Sequence, residues 1–452
     1  MNPGEKDAEA RLSLFMKELK AHGADDAVLN LSSDESLLVK FSNSAISNVK
    51  RWDLTMLSVF ASFGKRIVVT TVRDVSKKGL KAAAGHLGHA AKHLVPNGSY
   101  RGIADGPFTY KSVPRLFDQK IADRDHAEEF SLSAVGDIFD AAKARGVGRI
   151  AGVLETGKSS TLLMTTGHVR EVDSGTRAYL SVRALKSKSA TGHMAGCSRM
   201  LSSLDVEGIT EKAMDIATQA VRPRLLAQGT YDVVFESLPF ADMLNHLALG
   251  CSVFYVEAGL SCLKDRLGTR VASPLLTLAD HGRLPDGYGS SSFDEEGVPS
   301  QRTVLVKDGV LRSYLHNTST ARRYGTKSTG SAGLIAPGVS NIEVVPGKHS
   351  LDGLFSHVKT GVYITNLWYT RFNNYAAGDF STMPRDGMFL IKNGRLSHPV
   401  RGVRVSDNLL RMMGSVTALG KETPQLRSWE VEKPTLAPAA VVRGVPLTRP
   451  ER

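Results

Sequence analysis

Turn-forming dipeptides recur through the second half of the chain, at Asp286-Gly287, Glu296-Gly297, Asp308-Gly309 and Asn393-Gly394. They constrain it more than any other feature, because such pairs join neighbouring antiparallel strands. The runs beside the last two alternate as hairpin arms should: residues 303–307 with 310–315, and 388–392 with 395–400. Upstream lie a short β-rich run at 231–236 and an apolar stretch at 239–258. That stretch is hydrophobic on most faces and therefore reads as a buried helix. Pro434 to Pro438 reads as a loose, proline-rich tail region.

The first half is patterned differently. Leu12, Phe15, Met16 and Leu19 repeat at three and four, which predicts a helix over 5–22. Strands are expected at 27–31, 36–41, 55–61 and 66–71, with Gly64-Lys65 as the turn between the last two. Helices are expected over 77–93 and over 126–145, the latter closed by Gly146. Strands follow at 149–164, 168–173 and 176–183, then a helix at 206–220, and Pro223 and Gly229 mark a break. At 452 residues the chain is too long for a single compact core. We therefore expect an α+β protein of two domains: a mixed α/β-layer domain over 1–228, and a domain over 229–452 dominated by antiparallel strands with a buried helix.

Hydrophobic residues make up 42% and charged residues 23%, ordinary values for a globular chain. No stretch reaches the roughly 20 apolar residues that span a bilayer. The opening residues mix charge signs without an apolar core, unlike a signal peptide. A cytoplasmic protein without membrane contact is expected. Cys197, Cys251 and Cys262 are widely spaced, which suits free thiols better than disulfides, and the last two sit in apolar runs as buried, inert thiols. The net charge of +12 comes from scattered Lys and Arg, not from a clustered footprint. It reads as a solvated surface, not a nucleic-acid interface.

Thirteen histidines invite a search for metal ligands. His86, His89 and His93 fall on one helical face, a spacing that could ligate a transition metal. No carboxylate in that helix would orient them, and a partly exposed polar face is the plainer reading. His246 lies inside the apolar helix, where a lone histidine is usually a hydrogen-bonded core residue. No HExxH or HExxxH occurs in the chain, and there is no GxSxG elbow. Ser328 to Gly333 is a small-residue loop that could bring amides close to a ligand, or simply a tight connection. Asp294-Glu295-Glu296 could supply a carboxylate pair, with Asp294 and Glu296 on one face of an extended run; a charged turn is the plainer reading.

A recognisable order of pieces then emerges. It runs from Gly229-Thr230-Tyr231-Asp232-Val233-Val234 through the apolar helix to Lys264-Asp265-Arg266-Leu267-Gly268. Next come Phe293-Asp294-Glu295-Glu296-Gly297-Val298-Pro299, Val306-Lys307-Asp308-Gly309-Val310-Leu311 and Ser328-Thr329-Gly330-Ser331-Ala332-Gly333. The last are Gly378-Asp379-Phe380-Ser381, Gly387-Met388-Phe389-Leu390-Ile391-Lys392-Asn393-Gly394, Pro399-Val400 and Asn408-Leu409-Leu410. In content and order this resembles the TldD/PmbA family, on its PmbA (TldE) side, over most of the chain. The resemblance implies a two-domain α+β fold and a cytosolic peptidase of two related subunits acting on unfolded or leader-like peptides. One subunit, TldD-like, holds zinc through HExxxH and a later Cys; the PmbA-like subunit pairs with it. Here the matching stretch puts Asn245 at the first ligand, His246 at the general base and Gly250 at the second ligand. No Cys follows Cys262. The resemblance thus implies a chain without its own zinc that shapes the peptide cavity beside a TldD-like partner, or beside a second copy of itself. Arg371, Asn373, Asp379 and Arg385 are the expected cavity-lining residues. An independent hydrolase with a rearranged site and a basic, non-enzymatic binding protein are the competing expectations.

Overall fold

Two long strands organise the first half of the computed structural model, which describes residues 3–449. β1 (Asp26–Ser42) and β2 (Ala45–Phe63) run antiparallel along their length, turning at Asn43 and Ser44, both at positive φ. β3 (Arg66–Val72), β4 (Arg149–Thr165), β5 (Arg170–Ser187) and β6 (Ala190–Ser198) complete a six-stranded sheet in the order β3-β2-β1-β4-β5-β6. Every pair in it is antiparallel.

Hydropathy predicts these strands in pieces. The polar middle of β1, Ser32 to Glu35, breaks the apolar pattern, yet it is paired on both sides, to β2 and β4. Main-chain ladders carry a strand through residues that bury no apolar surface. β5 is likewise one strand instead of two. β6 has no sequence signal because its composition is small and polar, and packing explains why. A Cβ on Gly192 would lie 2.1 Å from the Ala213 carbonyl oxygen, so this glycine lets a helix lie directly on the sheet.

That helix is one of several. α1 (Pro3–Ala21) and α2 (Lys77–Ala91) cover one end of the sheet, packing Leu12, Phe15, Leu19 and Leu80 on Leu57 and Val59. α3 (Gln119–Ala122), α4 (Arg124–Ala144) and α5 (Val206–Gln219) cover the rest. Asp123 caps α4 through the amides of Asp125 and His126, and Gly146 at φ 59 closes it.

The second half forms a six-stranded and a ten-stranded sheet. Most pairs are antiparallel, as the turn dipeptides indicate. Parallel pairs join Gly229–Phe235 to Gly361–Ile364 and Ile342–Val344 to Thr435–Leu436. Each links segments remote in sequence, which local turn chemistry cannot report. The segment expected to be a loose tail is instead pinned: Thr435 and Ala437 are fully buried and Thr435–Leu436 is a sheet strand.

The apolar helix is also shorter than expected. α6 (Ser237–Leu249) stops at Gly250, and a separate helix, Val253–Glu257, follows. Between them Cys251 accepts from Leu315 N at 2.8 Å and Leu315 accepts from Val253 N. This pairing draws residues 251–253 out of the helix and ends the 310–315 hairpin arm at Leu311. One continuous core runs through both halves, from Val39 on β1 through Met214 on α5 to Leu244 on α6. Among the described residues no helix is long and apolar enough to cross a membrane.

Candidate functional site

α6 is anchored at its start by a buried carboxylate. Glu236 accepts from Ser237 N at 3.1 Å, pairs with Lys212 at 2.8 Å and accepts from the Tyr363 hydroxyl. Burial disfavours its charge, but Lys212 and these donors together hold the carboxyl below its usual range. A negative group there also suits the helix N-terminus.

Nearly two turns further, Asp242 accepts from the Thr370 hydroxyl at 2.7 Å. Its other oxygen lies 3.4 Å from His246 Nε2, near enough for charge attraction but not aligned for a hydrogen bond. The half-buried His246 ring packs on Phe372 with centroids 4.8 Å apart, and Phe372 stacks on Tyr375 at 5.1 Å. Asn245 is turned the other way and almost wholly buried. Its Nδ2 donates to Ala241 O at 3.0 Å and to Thr435 Oγ1 at 2.7 Å, and its Oδ1 accepts from Lys433 N at 2.8 Å. Gly250 carries no side chain, and its carbonyl accepts from Ser261 Oγ at 2.7 Å.

These positions border a cavity of about 400 Å³ lined by His246, Leu249, Gly250, Cys262, Phe372 and Tyr375 among others. The wall is mostly apolar and aromatic, suited to apolar groups more than to ions. Cys262 is half-buried and burial raises its thiol above the usual range; Cys251 is fully buried and raised further. Neither is a thiolate at neutral pH. Asn245, His246 and Gly250 do not form a zinc donor set: one amide is fully hydrogen-bonded elsewhere, one imidazole faces an aromatic wall, and one position has no donor atom.

The three-histidine face fares similarly. His86, His89 and His93 are all exposed on or just past α2, with the His89 and His93 rings 5.1 Å apart. Among the described residues no group of three or more His, Cys, Asp or Glu side chains is arranged to hold a metal ion.

The acidic turn and the small-residue loop belong together. Asp294 accepts from Val298 N at 2.9 Å and from Ala332 N at 2.9 Å, and Glu295 accepts from Leu334 N at 2.9 Å. Glu296 accepts from Thr318 N at 3.0 Å. Loop amides that could have met a ligand are thus held by the chain's own carboxylates. Burial, then the charge of Glu296, pushes Asp294 up to about 8. Glu295 and Glu296 border a second cavity of about 380 Å³ between the two halves, with Phe60 and Tyr100 opposite and the Glu257–Arg323 pair at 2.7 Å.

Arg371, Asn373 and Asp379 sit exposed on one hairpin, Trp368–Asn374 with Asp379–Met383, whose first strand is the outermost of the ten-stranded sheet. Arg385 lies beyond that hairpin and stacks on Trp368, 5.0 Å from the ring centre. Sequence reasoning missed the polar junction beneath it. Arg183 and Thr191 reach Asp386 at 2.6 and 2.5 Å, and His193 meets Asn366 at 2.9 Å. The partners lie about 170 to 200 residues apart, and no local pattern could have signalled them.

Residues 228–449 match the PmbA/TldA metallopeptidase C-terminal domain. Over its second half the chain is thus similar to proteins of the TldD/PmbA family. A metalloprotease of Archaeoglobus fulgidus is 35% identical over 228 residues, covering 48% of this chain and 52% of that protein. A Methanothermobacter thermautotrophicus metalloprotease is 28% identical over 74% of this chain and 76% of its own length. Metalloprotease PmbA of Escherichia coli O157:H7 is 28% identical over 44% and 43%. The chain spans about half the length of several curated relatives it matches. The fold is shared with TldE from Thermococcus kodakarensis, at a TM-score of 0.85 and 17% identity over 97% of this chain and 100% of that one.

Proposed function

We propose that this chain is a PmbA/TldE-like subunit of a cytoplasmic TldD-type zinc metallopeptidase, one that does not itself cut. It shapes the wall of a cavity that admits unfolded or leader-like peptides, while zinc belongs to a TldD-like partner. Asn245 carries this reading. It occupies the first-ligand position of the family motif, and its amide instead ties α6 to residues 433–435. Gly250 supplies no donor at the second ligand position. The metalloprotease names of the relatives support a peptidase-related role. Arg371, Asn373 and Asp379 on the outer hairpin, with Arg385 beside it, are the groups that would face peptide.

The test is zinc per chain, by elemental analysis of tag-free protein purified alone, together with peptide cleavage with and without a TldD-like subunit. Near-zero zinc and cleavage only in the mixture are expected; about one zinc per chain would overturn the reading. A second reading, an independent hydrolase, has one observation behind it: His246 and Cys262 line the same cavity. Cleavage by the chain alone would favour it.

A further inference from the structure

The cavity between the two halves sets an apolar wall against buried carboxylates. Val28 on β1, Phe60 on β2, and Ile67 and Val69 on β3 line one side, and Glu295 and Glu296 line the other, around about 380 Å³. Glu296 is only 8% exposed. It takes hydrogen bonds from Thr318 and Glu295 takes one from Leu334 N, but among the described residues neither carboxylate forms an ion pair. Arg323 also borders the cavity and is already held by Glu257 at 2.7 Å. Arg322 and Lys433 attract Glu296 and Glu295 only from further away. Burial accordingly raises both carboxyls above their usual range. Other polar groups around the space are engaged within the chain. Tyr100 donates its hydroxyl to Asp26 at 2.8 Å, Ser319 Oγ accepts from Arg101 N at 2.9 Å, and Asn317 Oδ1 accepts from Thr320 N at 2.9 Å. What the cavity offers a ligand is therefore apolar contact and unopposed negative charge.

We propose that this cavity binds a primary ammonium carried on an apolar body, with the head at Glu295 and Glu296 and the body against Phe60 and the aliphatic wall. An ammonium has three donors and no acceptor, and a carboxylate can accept about four hydrogen bonds. Each of these two carboxylates takes its donors from a single residue of the chain, which leaves capacity for the ligand. The aromatic rings of Phe60 and Phe254 border the same space, and ring faces attract cations. An anion would meet the carboxylates and find Arg323 taken. A metal ion would lack donors, since among the described residues no group of three or more His, Cys, Asp or Glu side chains is arranged to hold one. The size and mixed wall suit a small organic group. The same chemistry is presented by a free arylalkylamine and by the amino terminus of a peptide that begins with an apolar residue. Both halves contribute wall, so occupancy ties them together and stabilises the fold by mass action. This cavity shares no residue with the one beside α6, so the proposal stands or falls independently of the peptidase reading.

The experiment titrates the full chain calorimetrically with 2-phenylethylamine, with its neutral counterpart 2-phenylethanol, and with the peptide Phe-Ala-Ala-Ala bearing a free or an acetylated amino terminus. The amine is expected to bind at least about tenfold more tightly than the alcohol. Glu295→Gln and Glu296→Gln keep an acceptor for Leu334 N and Thr318 N, and a circular-dichroism melt checks that each folds. Each should weaken amine binding by about tenfold and leave the weak binding of the alcohol unchanged. Tight binding of the free peptide but not the acetylated one assigns the site to peptide amino termini; binding of the small amine alone assigns it to free amines. The proposal is overturned if neither amine nor free peptide binds at millimolar concentration, or if alcohol and amine bind equally. It also fails if a folded Gln variant binds the amine as the wild type does.

Discussion

Asn245 has its whole amide engaged: two main-chain oxygens and the Thr435 hydroxyl accept from it, and Lys433 N donates to it. Truncating it would leave the buried Lys433 amide and Thr435 hydroxyl with fewer partners. Asn245→Ala is therefore expected to destabilise the chain by about 1–3 kcal/mol, read as a lower urea midpoint. A neutral result would mean that water replaces the side chain, and that position 245 is not the tie between α6 and the 433–435 strand. His246, one residue on, is turned about 100° around the helix axis and lines the cavity, so truncating its half-buried ring should cost less. Adjacent positions on a helix face different surroundings, and this alone separates a structural amide from a cavity-lining imidazole.

At the scale of elements, residues 294–298 and 328–334 form a clamp. Asp294 holds three amides, those of Glu296, Val298 and Ala332, and Gly330 sits at φ 59 against the Pro299 carbonyl oxygen, where a Cβ would come within 2.4 Å. Asp294→Ala should release the 328–337 segment and lower stability by about 2–4 kcal/mol. Limited proteolysis would then cut within that segment in the variant and spare it in the wild type; equal resistance would show that the loop is held elsewhere. The acidic turn was read from sequence as a carboxylate pair or a charged turn, and the small-residue loop as a ligand cradle or a tight connection. Each expectation concerned one segment. What neither segment could show is that they close on each other, about 38 residues apart.

Across the whole molecule, several buried carboxyls titrate in the same direction. Burial pushes Asp280 up to about 7, and burial with Glu296 pushes Asp294 up to about 8. Each is easier to ionise unfolded than folded, so the stability they contribute is full below their unfolded value of 3.8 and is lost as pH rises through 7 to 8. His193 acts oppositely. It is buried and pushed down to about 4, so below about 6.5 protonation of the unfolded chain costs stability. His281, His316 and His357 are held down by burial in the same direction. Between about pH 7.5 and 8 histidine is almost wholly neutral in both states while the carboxyls still titrate, so the thermal midpoint should fall across that interval. His193→Gln should make the acid limb shallower, and a midpoint that rises from about pH 7.5 to 8 would contradict both the burial and the sign.

How much of this was legible depended on whether the signal was local. Helix periodicity at Leu12, Phe15, Met16 and Leu19, the Gly146 cap, and the hairpins at Asp308-Gly309 and Asn393-Gly394 are contacts between near neighbours in the chain, and the α+β class followed from them. The ordered motifs of the second half carried the family resemblance, and the lack of HExxxH is a property of the residues alone. Only the tertiary structure decided where α6 ends, because Leu315 competes for its last turn, and that β6 exists, because Gly192 admits α5. It alone turned Asn245 toward residues 433–435 and joined Asp294 to Ala332. Each of these depends on surfaces brought together across long loops, whose closure is driven by burial of the whole core and not by any pattern within a segment.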